Sequence, residues 1–205
     1  MDAARTAKRK AEEPWVICVC GMAGSGKSTL AKRLAEKYRL KYYSGGDALK
    51  ALAIDEGYKR VDRGWWESRE GMRFLEKRNK DGKFDETVDQ RLLELTCQGN
   101  VVLDSWTMPW LVRNGFKIWL EASARKRAER IARRDGMTEK EALKALRNKE
   151  KQTKAIYKRI YGFELGKDFK PFSLILGTDS LEAEEVFETL CAVLDNVLFH
   201  DNKNR

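Results

Sequence analysis

The chain contains 205 residues, of which 41 are lysine or arginine and 32 are aspartate or glutamate, so its formal net charge is +9. It has no apolar run of the ~20 residues needed to span a bilayer and no apolar signal-peptide core, so we expect a cytoplasmic protein without a membrane partner. The positive charge favours polyanionic ligands, either nucleotides or nucleic acid.

The length is that of one compact domain, which we place at residues 15–200, between charged tails at residues 1–14 and 201–205. We interpret the basic residues 8–10 as part of a solvated tail, and a nucleic-acid contact is the alternative. We expect a monomer. The sequence has no C-x-x-C pair, so we expect its cysteines to be buried reduced thiols rather than metal ligands: Cys18, Cys20, Cys97 and Cys191.

Residues 21–28 fit the phosphate-loop pattern G-x-x-x-x-G-K-[ST] at every fixed position. An apolar, β-rich run at residues 15–20 predicts a buried strand before this loop, and apolar residues at helical spacing predict a helix after it. Backbone N–H groups and the positive end of the helix dipole would bind phosphate there. The pattern therefore predicts these ATP-binding residues: Gly21, Met22, Ala23, Gly24, Ser25, Gly26, Lys27, Ser28 and Thr29.

The next stretch is predicted to begin with a short strand at residues 41–44, followed by a tight turn and a helix capped by Asp47. The pattern then weakens between residues 55 and 82, where we expect short helices and loops. Trp65 and Trp66 lie here with several arginines, which would suit a base and a phosphate. The alternative is that one tryptophan packs in the core while these arginines are solvated: Arg60, Arg63, Arg69, Arg73 and Arg78.

A helix is predicted at residues 84–98, with Asp85 and Asp89 one helical turn apart on the same face. Residues 101–104 then form an apolar strand that ends in Asp104. A carboxylate at the end of a buried strand is the Walker B arrangement, in which the acid holds Mg²⁺. We therefore predict Asp104 as a metal ligand, together with the Ser28 hydroxyl of the phosphate loop.

Two further strands are predicted at residues 116–120 and 172–176, each followed by a helix, and the alternation of strands and helices indicates a parallel, doubly wound sheet. The final helix, from about Ser180, is interpreted as packing.

The most basic stretch of the chain lies between these two strands. On a helix, Arg127, Arg130 and Arg134 would form one stripe that could clamp phosphates. Thr138 and Glu141 match a capping box that begins a second helix, so the pair has the form of a lid. The alternative is an exposed basic hairpin without a ligand.

Together these segments resemble the archaeal cytidylate kinases, a branch of the nucleoside monophosphate kinases, from about residue 16 to residue 197. The motifs that carry the resemblance are Ser44-Gly45-Gly46-Asp47, Asp85 with Asp89, Asn100 to Ser105, Trp119 to Arg125, Arg130-Ile131 and Ile160-Tyr161-Gly162. The resemblance implies an α/β P-loop NTPase fold with a five-stranded parallel sheet flanked by helices. It also implies a monophosphate-binding segment at about residues 45–98 and a mobile Arg-rich lid at about residues 125–165.

The implied reaction transfers the γ-phosphoryl group of ATP to CMP or dCMP with Mg²⁺. Acceptor binding is then assigned to Ser44, Gly45, Lys50, Asp85 and Asp89, catalysis to Lys27, Arg130 and Arg134, ATP binding also to Arg127, and the metal to Ser28 and Asp104. In such a pocket, a carboxylate would accept a hydrogen bond from the exocyclic amine of cytosine, a donor that uracil lacks.

Four positions depart from the family pattern. Lys50 and Lys149 stand where the family has arginine, so the charge is kept at these two positions. Trp106 and Ile156 also stand where the family has arginine, and there the charge is lost. Because arginine binds phosphate through two parallel hydrogen bonds, these changes affect the acceptor side and leave the donor side intact. We therefore predict that CMP is the best pyrimidine acceptor but a poor one, and that Trp106→Arg would raise its kcat/KM.

Two alternatives to a cytidylate-type kinase remain open from the sequence. One is a related small-molecule kinase with a different acceptor. The other is a nucleotide- or RNA-binding protein that has lost turnover, which the absent arginines and the positive charge would favour. We do not favour a nucleic-acid partner.

Overall fold

The computed structural model describes residues 15–197, so the predicted tails lie outside the described residues. The described chain contains one five-stranded sheet in the order β2-β3-β1-β4-β5, and every neighbouring pair is parallel. Its strands are β1 (Val16–Gly21), β2 (Lys41–Ser44), β3 (Val101–Asp104), β4 (Phe116–Glu121) and β5 (Leu174–Gly177).

Helices connect these strands and cover both faces of the sheet. The α-helices of the described chain are α1 (Lys27–Tyr38), α2 (Gly45–Asp55), α3 (Arg69–Lys80), α4 (Lys83–Gln98), α5 (Met108–Leu111), α6 (Ala124–Asp135), α7 (Glu139–Tyr161) and α8 (Ala183–Val197). A short 3₁₀ helix, Trp65–Glu67, precedes α3. None of the helices described in residues 15–197 has the length and apolar character that crossing a membrane requires.

The strand register brings the site together. Asp104 at the end of β3 is paired with Val19 of β1 on one side and with Ser44 of β2 on the other. The phosphate loop follows β1 directly, so it leaves the sheet beside both residues. A ligand of this fold binds beyond the carboxyl ends of parallel strands, where the strand order reverses. The predicted loop, the predicted metal ligand and Ser44 therefore share one edge of the sheet.

The core consists of apolar layers on the two sides of the sheet. On one side Val19, Ile118 and Leu120 pack against α1 and α8 through residues such as Leu34 and Leu190. On the other side lies a second cluster with members from α2, the 3₁₀ helix, α3 and α4: Leu49, Trp65, Phe74, Val88 and Leu92. The segment at residues 45–98 is thus anchored to the sheet by burial of apolar side chains.

Helices α6 and α7 form an antiparallel pair, hereafter the helical hairpin, within the segment interpreted as a lid. Gly136 ends α6 with a φ of 72°, a left-handed conformation that favours glycine. The predicted capping box begins α7: Glu141 N donates to Thr138 Oγ1, and Glu141 Oε2 accepts from Thr138 N at 2.9 Å. The hairpin follows the sequence prediction in its position and its connection.

Several local predictions need correction. The fifth strand is Leu174–Gly177 rather than residues 172–176, and α5 was not predicted. Ser44, not Asp47, caps α2, since its Oγ accepts from the Asp47 N–H at 3.1 Å. Cys97 is exposed rather than buried, because it lies at the end of α4 where the helix leaves the core.

Candidate active site

The phosphate loop has the backbone conformation that its glycines allow. Gly24 and Gly26 have φ values of 80° and 93°, and Gly26 is the N-cap of α1. A Cβ atom at Gly24 would come within 2.7 Å of the Arg127 carbonyl oxygen, so a larger residue would displace α6. The first turn of α1 contains no acidic residue and has no side-chain cap, which leaves its N–H groups available to an anion.

A cleft of about 220 Å³ opens in front of this loop. The predicted site residues that line it are Ala23, Gly24, Lys27, Ser28, Ser44, Gly45, Asp85, Asp89, Asp104 and Arg134. The other eight predicted site residues lie outside this lining set: Gly21, Met22, Ser25, Gly26, Thr29, Lys50, Arg127 and Arg130. The structure therefore brings ten of the eighteen predicted residues to a single cavity and leaves the other eight outside its lining.

Asp104 and Ser28 are the predicted metal ligands, and both line the cleft. The Asp104 residue is 3% exposed, and its Oδ2 accepts from the Tyr42 hydroxyl at 3.2 Å. Residues 15–197 contain no group of three or more His, Cys, Asp or Glu side chains arranged to hold a metal. The Asp104 carboxylate and the Ser28 hydroxyl would suit Mg²⁺, because this ion takes one or two protein oxygens and completes its shell with water and substrate phosphates.

Asp85 is held in a buried ion pair in the lining of the cleft. Its Oδ2 accepts from Arg78 Nε at 3.1 Å and its Oδ1 accepts from Arg78 Nη2 at 2.5 Å. The two side chains are 1% and 3% exposed. Two parallel hydrogen bonds fix the orientation of both planar groups, so the pair presents a rigid polar wall to the cleft.

Asp89 lies one helical turn further along α4 and accepts hydrogen bonds on both oxygens. Thr107 Oγ1 donates to Oδ1 and the Tyr161 hydroxyl donates to Oδ2, each at 2.6 Å. Burial raises the pKa of Asp89 to about 6, against the lowering effect of these two donors. Since Tyr161 belongs to α7, the helical hairpin contacts the predicted acceptor residues directly.

A second ion-pair cluster lies nearer the phosphate loop. Glu67, whose side chain is 3% exposed, lies 3.3 Å from Arg134 Nη2 and 3.5 Å from Lys149 Nζ. The Lys149 ammonium group is 4.9 Å from the centre of the Trp66 ring and 5.7 Å from that of Trp106. Two cations from the hairpin therefore share one carboxylate of the 3₁₀ helix.

Trp106 contacts the phosphate loop itself. Its indole Nε1 donates to the Gly21 carbonyl oxygen at 2.5 Å, and the Lys27 ammonium group is 5.4 Å from its ring centre. The ring also packs edge-on against Tyr157. Trp106 is thus a packing contact between the phosphate loop and α7.

Arg127, Arg130 and Arg134 reach three different places, although they share one face of α6. Arg127 is buried, donates to the carbonyl oxygens of Ala122 and Ala23, and forms an ion pair with Glu150. Arg130 Nη2 donates to the Thr178 carbonyl oxygen at 2.8 Å. Of the three, Arg134 alone lines the cleft. Their predicted roles toward ATP remain predictions.

The sequence did not single out several residues that complete the cleft. Arg78 was grouped with exposed arginines, yet it is 2% exposed and pairs with Asp85. Glu67, Thr107 and Tyr157 line the cleft without any motif that marks them. The one available signal was an arginine seven positions before Asp85, a predicted acceptor residue, and the break between α3 and α4 obscured it.

Comparison with protein families and with individual relatives gives one consistent result. The model described as the cytidylate kinase-like family matches residues 16–180. A cytidylate kinase of Pyrococcus horikoshii is 33% identical over 183 residues, which cover 89% of either chain. A cytidylate kinase of Methanocaldococcus jannaschii is 32% identical and is covered over 98% of its length.

Solved structures with a similar fold include other small kinases. A shikimate kinase from Bacteroides thetaiotaomicron superimposes with a TM-score of 0.54 at 20% identity, covering 90% of this chain and 98% of that one. A gluconokinase from Sinorhizobium meliloti gives a TM-score of 0.51 at 16% identity, with 91% and 95% covered. At these identities the similarity is one of fold.

Proposed function

Since the chain belongs to the cytidylate kinase-like family and is a nucleoside monophosphate kinase, we propose that it transfers the γ-phosphoryl group of ATP to CMP or dCMP. The observation that carries the acceptor assignment is the rigid wall that Arg78, Asp85 and Asp89 form in the lining of the cleft. Such a wall offers both donors and acceptors to a base edge.

The donor half of the proposed site is built to hold triphosphate. Loop N–H groups and the N-terminus of α1 would bind phosphate oxygens, and Lys27 would add a positive charge at the outer phosphates. Ser28 and Asp104 would hold Mg²⁺, which would neutralise charge on the β- and γ-phosphate oxygens. These groups favour the transition state by electrostatics and position rather than by covalent chemistry.

In the proposed reaction, an oxygen of the acceptor phosphate forms a bond to the γ-phosphorus. The bond from that phosphorus to the bridging oxygen breaks, and ADP leaves. Arg134 points into the cleft from the helical hairpin, so it would contact the transferring group when the hairpin closes on substrate. We assign the same role to Arg130, which requires its contact with Thr178 to rearrange.

Base selection would come from Asp89 and the Arg78–Asp85 pair. A carboxylate can accept from the exocyclic amine of cytosine, whereas the corresponding oxygen of uracil would face it as a second acceptor. Sites built to hydrogen-bond one group reject an analogue that lacks it, because a buried polar atom is then left without a partner. The proposed preference is therefore CMP or dCMP over UMP.

A kinase with a different acceptor is the second candidate, and the observation that favours it is Trp106. This residue removes an arginine charge from the phosphate end of the cleft and fills the space with an indole ring. A smaller or differently charged acceptor would then be favoured over a nucleotide.

Initial-rate assays with CMP, dCMP, UMP, AMP and dTMP at saturating ATP would test the proposal. We expect the highest kcat/KM for CMP or dCMP, by at least about tenfold over UMP. Equal rates with UMP, or a higher rate with AMP, would contradict it. RNA binding measured on the same preparation would address the third alternative, and tight RNA binding without turnover would support it.

A further inference from the structure

We propose that Glu67 is an internal counter-ion that holds Lys149 and Arg134 in the lining of the cleft and releases them when substrate binds, Lys149 to the acceptor phosphate and Arg134 to the transferring phosphoryl group. The inference rests on the proposed function and gives Glu67 and Lys149 a role in it. It starts from the position of Lys149, a lysine side chain only 12% exposed, on a face of α7 that lines the cleft.

Burial of a charged lysine is unfavourable unless other groups compensate for the lost hydration. The compensation here comes from Glu67 at 3.5 Å and from the faces of Trp66 and Trp106. All of these groups also line the cleft. The buried ammonium group of Lys149 lies near the phosphate loop, so it is well placed to bind an anionic ligand.

Glu67 is shared between two cations. Arg134 also pairs with the carboxylate of its neighbour Asp135 at 2.6 Å, whereas within residues 15–197 the one carboxylate within ion-pair distance of Lys149 is that of Glu67. An acceptor phosphate entering the cleft carries up to two negative charges and can therefore displace a single carboxylate from Lys149. Arg134 would keep its contact with Asp135 and turn one N–H group toward the transferring phosphoryl group.

The charge state of Lys149 gives this arrangement a measurable signature. Burial lowers the pKa of Lys149 to about 8, against the raising effect of Glu67, and the nearby charges of Lys27 and Arg134 lower it further. From α3, Arg78 approaches the Trp66 ring, but its charge is paired with Asp85. Lys149 is thus charged below about pH 8 and loses its charge above it.

The pH dependence of acceptor use tests the proposal. With CMP, or with whichever of CMP, dCMP, UMP and AMP is the best acceptor, we expect kcat/KM to fall above about pH 8 in the wild type, while kcat/KM for ATP stays level there. In Lys149→Arg the decline should move up by at least about one pH unit, because arginine stays protonated. In Lys149→Met the decline should vanish and kcat/KM should be at least about tenfold lower at pH 7.

Glu67→Gln separates an internal counter-ion from a merely structural residue. At pH 6.5, where Lys149 stays charged, this variant should lower the KM for the acceptor by about threefold or more, because the competing carboxylate is gone. Its alkaline decline should move to lower pH, because the group that raises the pKa of Lys149 is absent. A structural residue would give the opposite result, a higher KM and a lower Tm.

Lys151→Met is the matched control, since Lys151 is exposed on the same helix two positions away. It should keep the wild-type profile. If Lys149→Arg retains the wild-type decline, or if Glu67→Gln raises the acceptor KM, the inference is overturned while the kinase assignment stands. If the wild type phosphorylates none of the four monophosphates, the proposed function and this inference fall together.

Discussion

The two halves of the cleft are built in different ways. The donor half comes from one continuous stretch, residues 21–28, with Asp104 added from the neighbouring strand. The acceptor half is assembled from α2, the 3₁₀ helix, α3, α4 and the helical hairpin. Backbone geometry fixes the first half, whereas the second depends on side-chain ion pairs between separate segments.

This difference explains where the departures from the family pattern fall. A backbone cradle needs glycines at fixed positions, because a Cβ atom at Gly24 would collide with the Arg127 carbonyl. An ion-pair network can exchange one cation for another if a partner is near, as with Lys149 and Glu67. Substitutions can therefore accumulate in the acceptor half while the donor half stays close to its pattern.

The largest expected effect tests the donor half. Lys27→Ala should lower kcat by at least about 10³-fold, because it removes the positive charge nearest the β- and γ-phosphates. Lys32→Ala is the control, since Lys32 lies on the exposed face of α1 over the Tyr42 ring. Both variants should unfold at the wild-type temperature. Retained turnover by a folded Lys27→Ala protein would end the assignment of this loop to phosphoryl transfer.

The next effect tests the hairpin at the border between the halves. Arg134→Ala should lower kcat by about 10²-fold and change the KM for ATP by less than about twofold, because binding realised only in the transition state affects kcat. Arg133 is the matched control, since its side chain is 78% exposed and pairs with Glu129 on its own helix. An increase in KM without a change in kcat would show that Arg134 is a binding residue only.

The sequence was sufficient for the strand, loop and helix that form the donor half and for the order of the fold. Each of its signals is local: the spacing in residues 21–28, the apolar run before Asp104, and the pair Thr138 and Glu141. The parallel sheet follows from strands alternating with helices, and the structure has all five strands within about two residues of their predicted places.

The acceptor half could be predicted only in part. Asp85 and Asp89 share a helix face, so their proximity follows from the helical period. Their partners Arg78, Thr107 and Tyr161 come from other elements, and contacts across such distances leave no periodic signal. The 3₁₀ helix that places Glu67 is three residues long, and the glycines around it obscured any pattern.

A smaller effect tests base selection in the acceptor half. Asp89→Asn should reduce the preference for CMP over UMP by about tenfold, because an amide offers one acceptor in place of two. In the wild type the same ratio should fall as the pH drops through about 6, since Asp89 is ionised above its raised pKa and protonated below it. Protonation of the acceptor phosphate affects both substrates alike and cancels in the ratio.

The control for base selection is Glu86→Gln, which changes an exposed acid on the same helix. It should leave the ratio of CMP to UMP at the wild-type value. If Asp89→Asn lowers the rates with CMP and UMP equally, Asp89 supports the pocket through Thr107 and Tyr161 and does not contact the base.

The smallest expected effect on activity concerns Trp106, which contacts both the phosphate loop of the donor half and α7 of the acceptor half. Trp106→Phe should lower the free energy of unfolding by about 1 kcal/mol, because it leaves the Gly21 carbonyl oxygen without the indole donor. The aromatic contact with Tyr157 would remain, so kcat/KM for CMP should change by less than about threefold. Chemical denaturation and initial rates on one preparation would measure both.

Trp106→Arg tests two explanations of how residue 106 affects kcat/KM for CMP. One is the missing arginine charge, and the other is the contact between the indole ring and the phosphate loop. From the family pattern alone the variant should raise kcat/KM for CMP. The structure gives a reason to expect the opposite, because the guanidinium would stand near the ammonium groups of Lys27 and Lys149, which lie 5.4 Å and 5.7 Å from the centre of the indole ring. Repulsion among these three positive charges would destabilise the protein without substrate. The loss of the indole would also remove the hydrogen bond that holds the phosphate loop at Gly21. We therefore expect a lower Tm and no gain with CMP, whereas a clear gain would show that the absent charge at position 106 limits acceptor use.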